Sequence, residues 1–108
     1  MLSVIVPALN AATTLGATLA SVAGDPVAET VVVDGGSTDA TADLAAALGA
    51  RVIRAARGRG VQIAAGVAAS SGLWLLVLHA DTRLGTSWRD ATLRHMHACP
   101  DRAGYFAF

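Results

Sequence analysis

Cysteine occurs once, at Cys99, which excludes an internal disulfide framework and suits a reducing, cytoplasmic setting. Neither sign of charge is in excess: eight Lys plus Arg stand against eight Asp plus Glu. The chain therefore has no electrostatic footprint for nucleic acid or for an anionic membrane. The start, Met1-Leu2-Ser3-Val4-Ile5-Val6, has no basic residue and meets Pro7 too early for the apolar core of a secretory leader. A strongly apolar run of membrane-spanning length is also missing. Residues 60–78 carry no charge, but the first two thirds are mainly Ala, Gly and Ser with Gln62 among them, and Ser70-Ser71-Gly72 interrupts the run. Small residues supply little insertion energy, so the expectation is a helix followed by a strand and no transmembrane segment. No G-x-G-x-x-G follows the first strand, which argues against a nicotinamide or flavin enzyme. No internal repeat or low-complexity linker divides the 108 residues, enough for one domain, 1–108, with a modest core.

What is present is organised around the uncharged run Leu73-Trp74-Leu75-Leu76-Val77-Leu78, which ends in His79-Ala80-Asp81. An apolar stretch without alternation predicts a strand buried on both faces, as in parallel sheets covered by helices. Such a strand delivers its last residues to the carboxyl edge of the sheet, where ligands bind. Asp81 is therefore a binding candidate, beside the simpler reading that Asp81-Thr82 caps the next turn.

The remaining elements follow in order. Leu2 to Val6 is a β-branched strand stopped by Pro7. Asn10 reads as the N-cap of a helix to about Val22, with Leu15, Leu19 and Val22 on one face. Gly24-Asp25-Pro26 ends it. Thr30 to Val33 is a second strand, closed by Asp34-Gly35-Gly36, and Ser37-Thr38-Asp39 opens a helix to Leu48 with Gly49 as its stop. Arg51 to Arg54 is a third strand, Gly58 to Ser70 a small-residue helix, and Thr86 to Cys99 a further helix. Tyr105-Phe106-Ala107-Phe108 reads as the start of a fifth strand. This alternation predicts an α/β fold, a doubly wound, mostly parallel, Rossmann-like sheet. Right-handed crossovers give the order 3-2-1-4, with a crevice between Pro7 to Asn10 and His79 to Asp81.

Three groups could carry chemistry. In Asp34-Gly35-Gly36-Ser37 the glycines let a ligand approach the backbone, and Asp34 could accept from a base N–H or a ribose hydroxyl; a tight turn with a cap is the alternative. Arg57 and Arg59 stand before a helix on the same edge, and guanidinium groups pair with phosphate oxygens in a fixed fork. His95, His97 and Cys99 do not make a zinc site, because the two histidines point roughly 200° apart on a helix. Trp74 and Trp88 read as packing residues, with Trp88 also placed to line a sugar pocket.

Together, Val4-Ile5-Val6-Pro7-Ala8-Leu9-Asn10, Val31-Val32-Val33-Asp34-Gly35-Gly36-Ser37-Thr38-Asp39, Arg57-Gly58-Arg59 and Leu78-His79-Ala80-Asp81-Thr82 resemble the nucleotide-binding half of family 2 glycosyltransferases with the GT-A fold. The resemblance covers nearly the whole chain in the family's order. It implies an inverting transferase that takes a nucleoside-diphosphate sugar, expected to be a UDP-sugar, to an acceptor hydroxyl. Pro7 and Asn10 would border the nucleotide, Asp34 hold the uracil or ribose, and Arg59 lie near the diphosphate. His79 and Asp81 match the D-x-D element, with Asp81 the ligand for Mg²⁺ or Mn²⁺.

The departures are specific. His79 replaces the first acid of that element, which biases a metal site away from Mg²⁺. Gly35, Ala11 and Ala64 stand where the family often has acids or an asparagine. The resemblance puts the acceptor site and general base beyond Phe108, so this chain is expected to be truncated and to lack normal turnover. Self-association through apolar surface near Tyr105 to Phe108 is a further expectation. The alternatives are a non-catalytic nucleotide-binding or assembly module and a sugar nucleotidyltransferase. The latter lacks its glycine-rich, arginine-bearing loop after the first strand.

Overall fold

The computed structural model describes residues 2–98. Strands and helices alternate along them as β1 (Leu2–Ala8), α1 (Leu15–Ser21), β2 (Val27–Asp34), α2 (Thr41–Ala47), β3 (Arg51–Arg54), α3 (Arg59–Ala69), β4 (Trp74–Val77) and α4 (Trp88–Ala98). Every strand pair is parallel and the sheet order is β3-β2-β1-β4, the expected 3-2-1-4. Cys99 and the strand expected at Tyr105 to Phe108 lie outside the described residues.

Period-two alternation along β1 divides the core. Leu2, Val4, Val6 and Ala8 join Leu15, Leu19, Val22, Val32, Ala45, Leu84 and Trp88 in one apolar layer. Ile5, Val31 and Val33 face the opposite way, against Ile53, Ala55 and Ala65 beneath α3. Gly66 is what lets α3 sit so low: a Cβ there would come within 2.4 Å of Ile5 Cγ2 and 3.0 Å of Val33 Cγ2. Val31, Val32 and Val33 are fully buried, so β2 is covered on both faces.

β4 is not. Leu75 is 41% exposed, Val77 43% and Leu73 90%, and the strand is only Trp74–Val77. Its residues alternate between the packed side of Trp74 and Leu76 and an open side. The reason lies in α3. Leu75 and Val77 register with Ser3 and Ile5, but α3 rests over Ile5 and Val33 and stops short of β4, at one edge of the described sheet. The two-sided burial expected for this run is corrected accordingly.

Three further expectations change. Pro7 does not stop β1, which continues through it to Ala8. The Ile5 carbonyl accepts from Leu78 N–H, so by strand alternation the Pro7 nitrogen also turns toward β4. Pairing with β4 ends at Ile5 and Val77, so no ladder bond is lost at Pro7, and the two strands part there. Asn10 is not the cap of α1: Thr14 and Leu15 N–H both turn onto the Ala11 carbonyl, and the helix begins at Leu15. The second helix likewise begins later than expected, at Thr41, with Leu48 and Gly49 (φ +87°) ending it.

The amino edge of the sheet is clipped by a carboxylate. Glu29 Oε2 accepts from Ser71 N–H (2.6 Å), Ser3 Oγ (2.7 Å) and Ser71 Oγ (2.9 Å), and Ser3 Oγ accepts from Gly72 N–H at 2.9 Å. The Ser71 N–H, then the two hydroxyls, hold the Glu29 carboxyl below its ordinary 4.5. A lowered native value means stabilisation that is complete above that ordinary value and drains away as pH falls through the lowered one. Glu29→Gln is expected to lower the Tm at neutral pH on the order of 5 °C, from about 1 kcal/mol. The gap from the parent should close in strong acid. Thermal melts across the acid range check this, and a gap independent of pH would show that the ionised form is not what stabilises.

Candidate functional site

At the carboxyl edge, where β1 and β4 part, lies a cleft of about 490 Å³. Pro7, Asn10, Arg57, Arg59, His79 and Asp81 line it, together with Thr13, Thr14 and Gln62. The structure thus gathers Pro7, Asn10, Arg57, Arg59, His79 and Asp81 onto one surface, and leaves Asp34 and Trp88 off it. Asp34 is 2% exposed and is not among the lining residues. Its carboxylate is occupied by Ser37, accepting from the Ser37 N–H at 3.3 Å and from the hydroxyl.

The loops after β1 and β2 are stitched together. Asn10 has φ +50°, a left-handed conformation asparagine tolerates. Its N–H donates to Ser37 Oγ at 2.9 Å, and its Oδ1 accepts from Thr38 N–H at 2.8 Å. Deeper in, Ala11 N–H donates to Thr41 Oγ1 at 2.8 Å, and Asp39 accepts from Ala12 N–H at 3.2 Å and Thr41 N–H at 3.0 Å. The Thr41 hydroxyl, ahead of these amides and against burial, holds the Asp39 carboxyl below its ordinary 3.8. Asn10 therefore shapes the rim of the cleft while its carbonyl oxygen is spent on a neighbouring loop.

The arginines that cluster in the sequence separate in space. Arg51 begins β3, at the amino edge, and donates to the Ala69 carbonyl at 2.8 Å. Arg57 and Arg59 lie past the carboxyl end of β3, exposed on the cleft. The turn between them uses Gly58 at φ +142°, a conformation open to glycine. Sequence reasoning passed over Gln62, which is 5% exposed. Its Nε2 donates to the Ala8 carbonyl (3.0 Å) and the Val33 carbonyl (2.9 Å), and its Oε1 accepts from Gly58 N–H at 3.2 Å. The signal available was a single amide in a helix otherwise made of small and aliphatic residues after Arg59.

The other wall is the turn His79-Ala80-Asp81, closed by Thr82 N–H onto the His79 carbonyl. Thr14 Oγ1, at the residue before α1, and the buried Thr18 Oγ1, four residues on, both donate to the Ala80 carbonyl at 2.9 Å. The side chains of His79 and Asp81 are exposed. Trp88, by contrast, is buried in the core and does not line the cleft, so its sugar-pocket role is withdrawn. His95 stands edge-on to Trp74.

The sequence profile described as Glycosyl transferase family 2 matches residues 3–103. The chain belongs to glycosyl transferase family 2. It is 44% identical over 93 residues to the PGL/p-HBAD biosynthesis glycosyltransferases of Mycobacterium bovis and Mycobacterium tuberculosis, over 78% of this chain and 36% of theirs. Glucosyl-3-phosphoglycerate synthase from M. tuberculosis, solved with Mn²⁺, UDP and glucosyl-3-phosphoglycerate, superposes with a TM-score of 0.70 at 31% identity. That match covers 77% of this chain and 35% of that one. TarS of S. aureus gives a TM-score of 0.79 at 24% identity over 90% and 32%, a likeness of fold alone. This family 2 chain thus spans about a third of the length of the relatives it matches.

Whether the residues of this family 2 chain suit a divalent ion can be judged from the donors. Among the described residues no three His, Cys, Asp or Glu side chains come together as a cage. His79 and Asp81 both line the cleft. An imidazole and a carboxylate suit a divalent ion whose remaining positions are filled by ligand oxygens. No helix among the described residues is long and apolar enough to cross a membrane.

Proposed function

We propose that the chain is the donor-binding part of a family 2 glycosyltransferase, a single domain that takes a nucleoside-diphosphate sugar, a UDP-sugar, in the cleft. The observation that carries this reading is the convergence of two arginines, an imidazole and a carboxylate on one cleft at the switch point of a parallel sheet. Arg59 and Arg57 meet the diphosphate, Pro7 and Asn10 border the nucleoside, and Asp34 acts through the Ser37 loop at its margin. Asp81, with His79, would hold Mn²⁺ or Mg²⁺ against the diphosphate. Such an ion supplies positive charge where the departing nucleoside diphosphate becomes negative.

Transfer to an acceptor hydroxyl with inversion needs a base as well. Among the described residues lining the cleft Asp81 is the one carboxylate, and the metal role uses it. That favours, for this chain alone, a second reading as a nucleotide-binding or assembly module. Calorimetric titration of UDP with and without Mn²⁺ tests the donor reading; the expected result is binding that tightens with the ion. No uptake of UDP by a chain shown folded by circular dichroism would overturn it. Release of free sugar from UDP-glucose, or its transfer, would argue against the module reading.

A further inference from the structure

We propose that Gln62 is a positioning residue that sets the place of the diphosphate-facing arginines relative to the ends of β1 and β2; this rests on the donor reading above. Each polar atom of the side chain is committed. Nε2 bridges the Ala8 and Val33 carbonyls, the last turns of the two central strands, and Oε1 receives the Gly58 N–H. Gly58 sits between Arg57 and Arg59 with φ +142°, so the arginine turn departs in a direction that its own backbone does not favour by default. The amide of Gln62 is the contact that ties this turn to the sheet. It touches no reacting group; it acts through Arg57 and Arg59.

Gly35 belongs to the same device. A Cβ at Gly35 would lie 2.9 Å from the Gln62 amide carbon, nitrogen and oxygen alike, so the residue after Asp34 must be small for the amide to reach its carbonyls. A residue type at one loop is thereby dictated by a side chain on a helix that follows β3.

The consequence is selective. Losing the tether frees the arginines from the phosphate end of the cleft but leaves Pro7 and Asn10 where they are, because Asn10 is held by Ser37 and Thr38. Gln62→Met keeps the length and volume and removes both donors and the acceptor. It is expected to weaken UDP binding by about tenfold while leaving uridine binding unchanged, both measured calorimetrically on the full chain. Gln62→Leu, which likewise removes both donors and the acceptor, should give the same split and serves if Gln62→Met fails to fold. Equal loss for UDP and uridine, or unchanged UDP affinity in a folded variant, would overturn the positioning role while leaving the donor reading standing. A parent chain that takes up no UDP would overturn both.

Discussion

Asp81→Ala is expected to abolish the Mn²⁺-dependent part of UDP binding, a loss on the order of 100-fold in Kd with the ion present, and to leave the Tm where it was. Both halves follow from the surroundings of the carboxylate. Its hydrogen bond in the fold is a long one, 3.5 Å from the Thr82 hydroxyl, and the side chain is exposed. Nothing in the core depends on it. The turn that carries it is held by main-chain atoms, the Thr82 N–H on the His79 carbonyl and two threonine hydroxyls on Ala80. A carboxylate so lightly used is open to an ion, and with His79 it makes up the donor set on the cleft. Asp81→Asn, which keeps an oxygen but not the charge, should fall between the two. The check is the difference in UDP affinity with and without Mn²⁺ in each protein. An undiminished difference in Asp81→Ala would move the metal to other donors.

Gly66→Ala is expected to destabilise the protein by about 1–3 kcal/mol, a fall of roughly 10 °C in Tm, although alanine is the better helix former by about 1 kcal/mol. The sign is decided by packing. An added Cβ would sit 2.4 Å from Ile5 Cγ2, and Ile5 is fully buried on the central strand with no room to yield. Gly16 in α1 offers the control, because an added methyl there meets nothing within 4 Å. Gly16→Ala should hold or raise stability by a few tenths of a kcal/mol to about 1 kcal/mol. Urea denaturation of both variants checks the pair. A midpoint for Gly66→Ala equal to that of the parent would mean that α3 does not rest on Ile5 and Val33. UDP affinity should drop together with stability in Gly66→Ala, since Arg59 and Gln62 ride on the same helix.

The sheet order and the bounds of β3 were legible in the sequence because they depend on local signals: β-branched runs, glycine stops and short links. So was the convergence of Pro7, Asn10, Arg59, His79 and Asp81, which topology alone dictates once the strands are parallel. What was not legible depends on contacts between distant segments. Asn10 looks like a helix cap until Ser37 and Thr38 claim it across two loops. Gln62 looks like an incidental polar residue until the ends of β1 and β2 arrive beside it. The run Leu73 to Leu78 is apolar on both faces, and periodicity carries no information on whether a second layer reaches far enough to cover it. Pro7 ends a strand by its chemistry, yet here its missing N–H falls where the neighbouring strand has already left.

Thr14 and Thr18 grip the Ala80 carbonyl, and that has an evolutionary consequence. Because the grip is on the main chain, the side chains on either side of Ala80 are not what holds the turn in place. Aspartate, histidine or asparagine could alternate at positions 79 and 81 without the fold registering the exchange. Lineages could therefore drift between ion preferences, or abandon the ion, by single substitutions that carry no folding penalty.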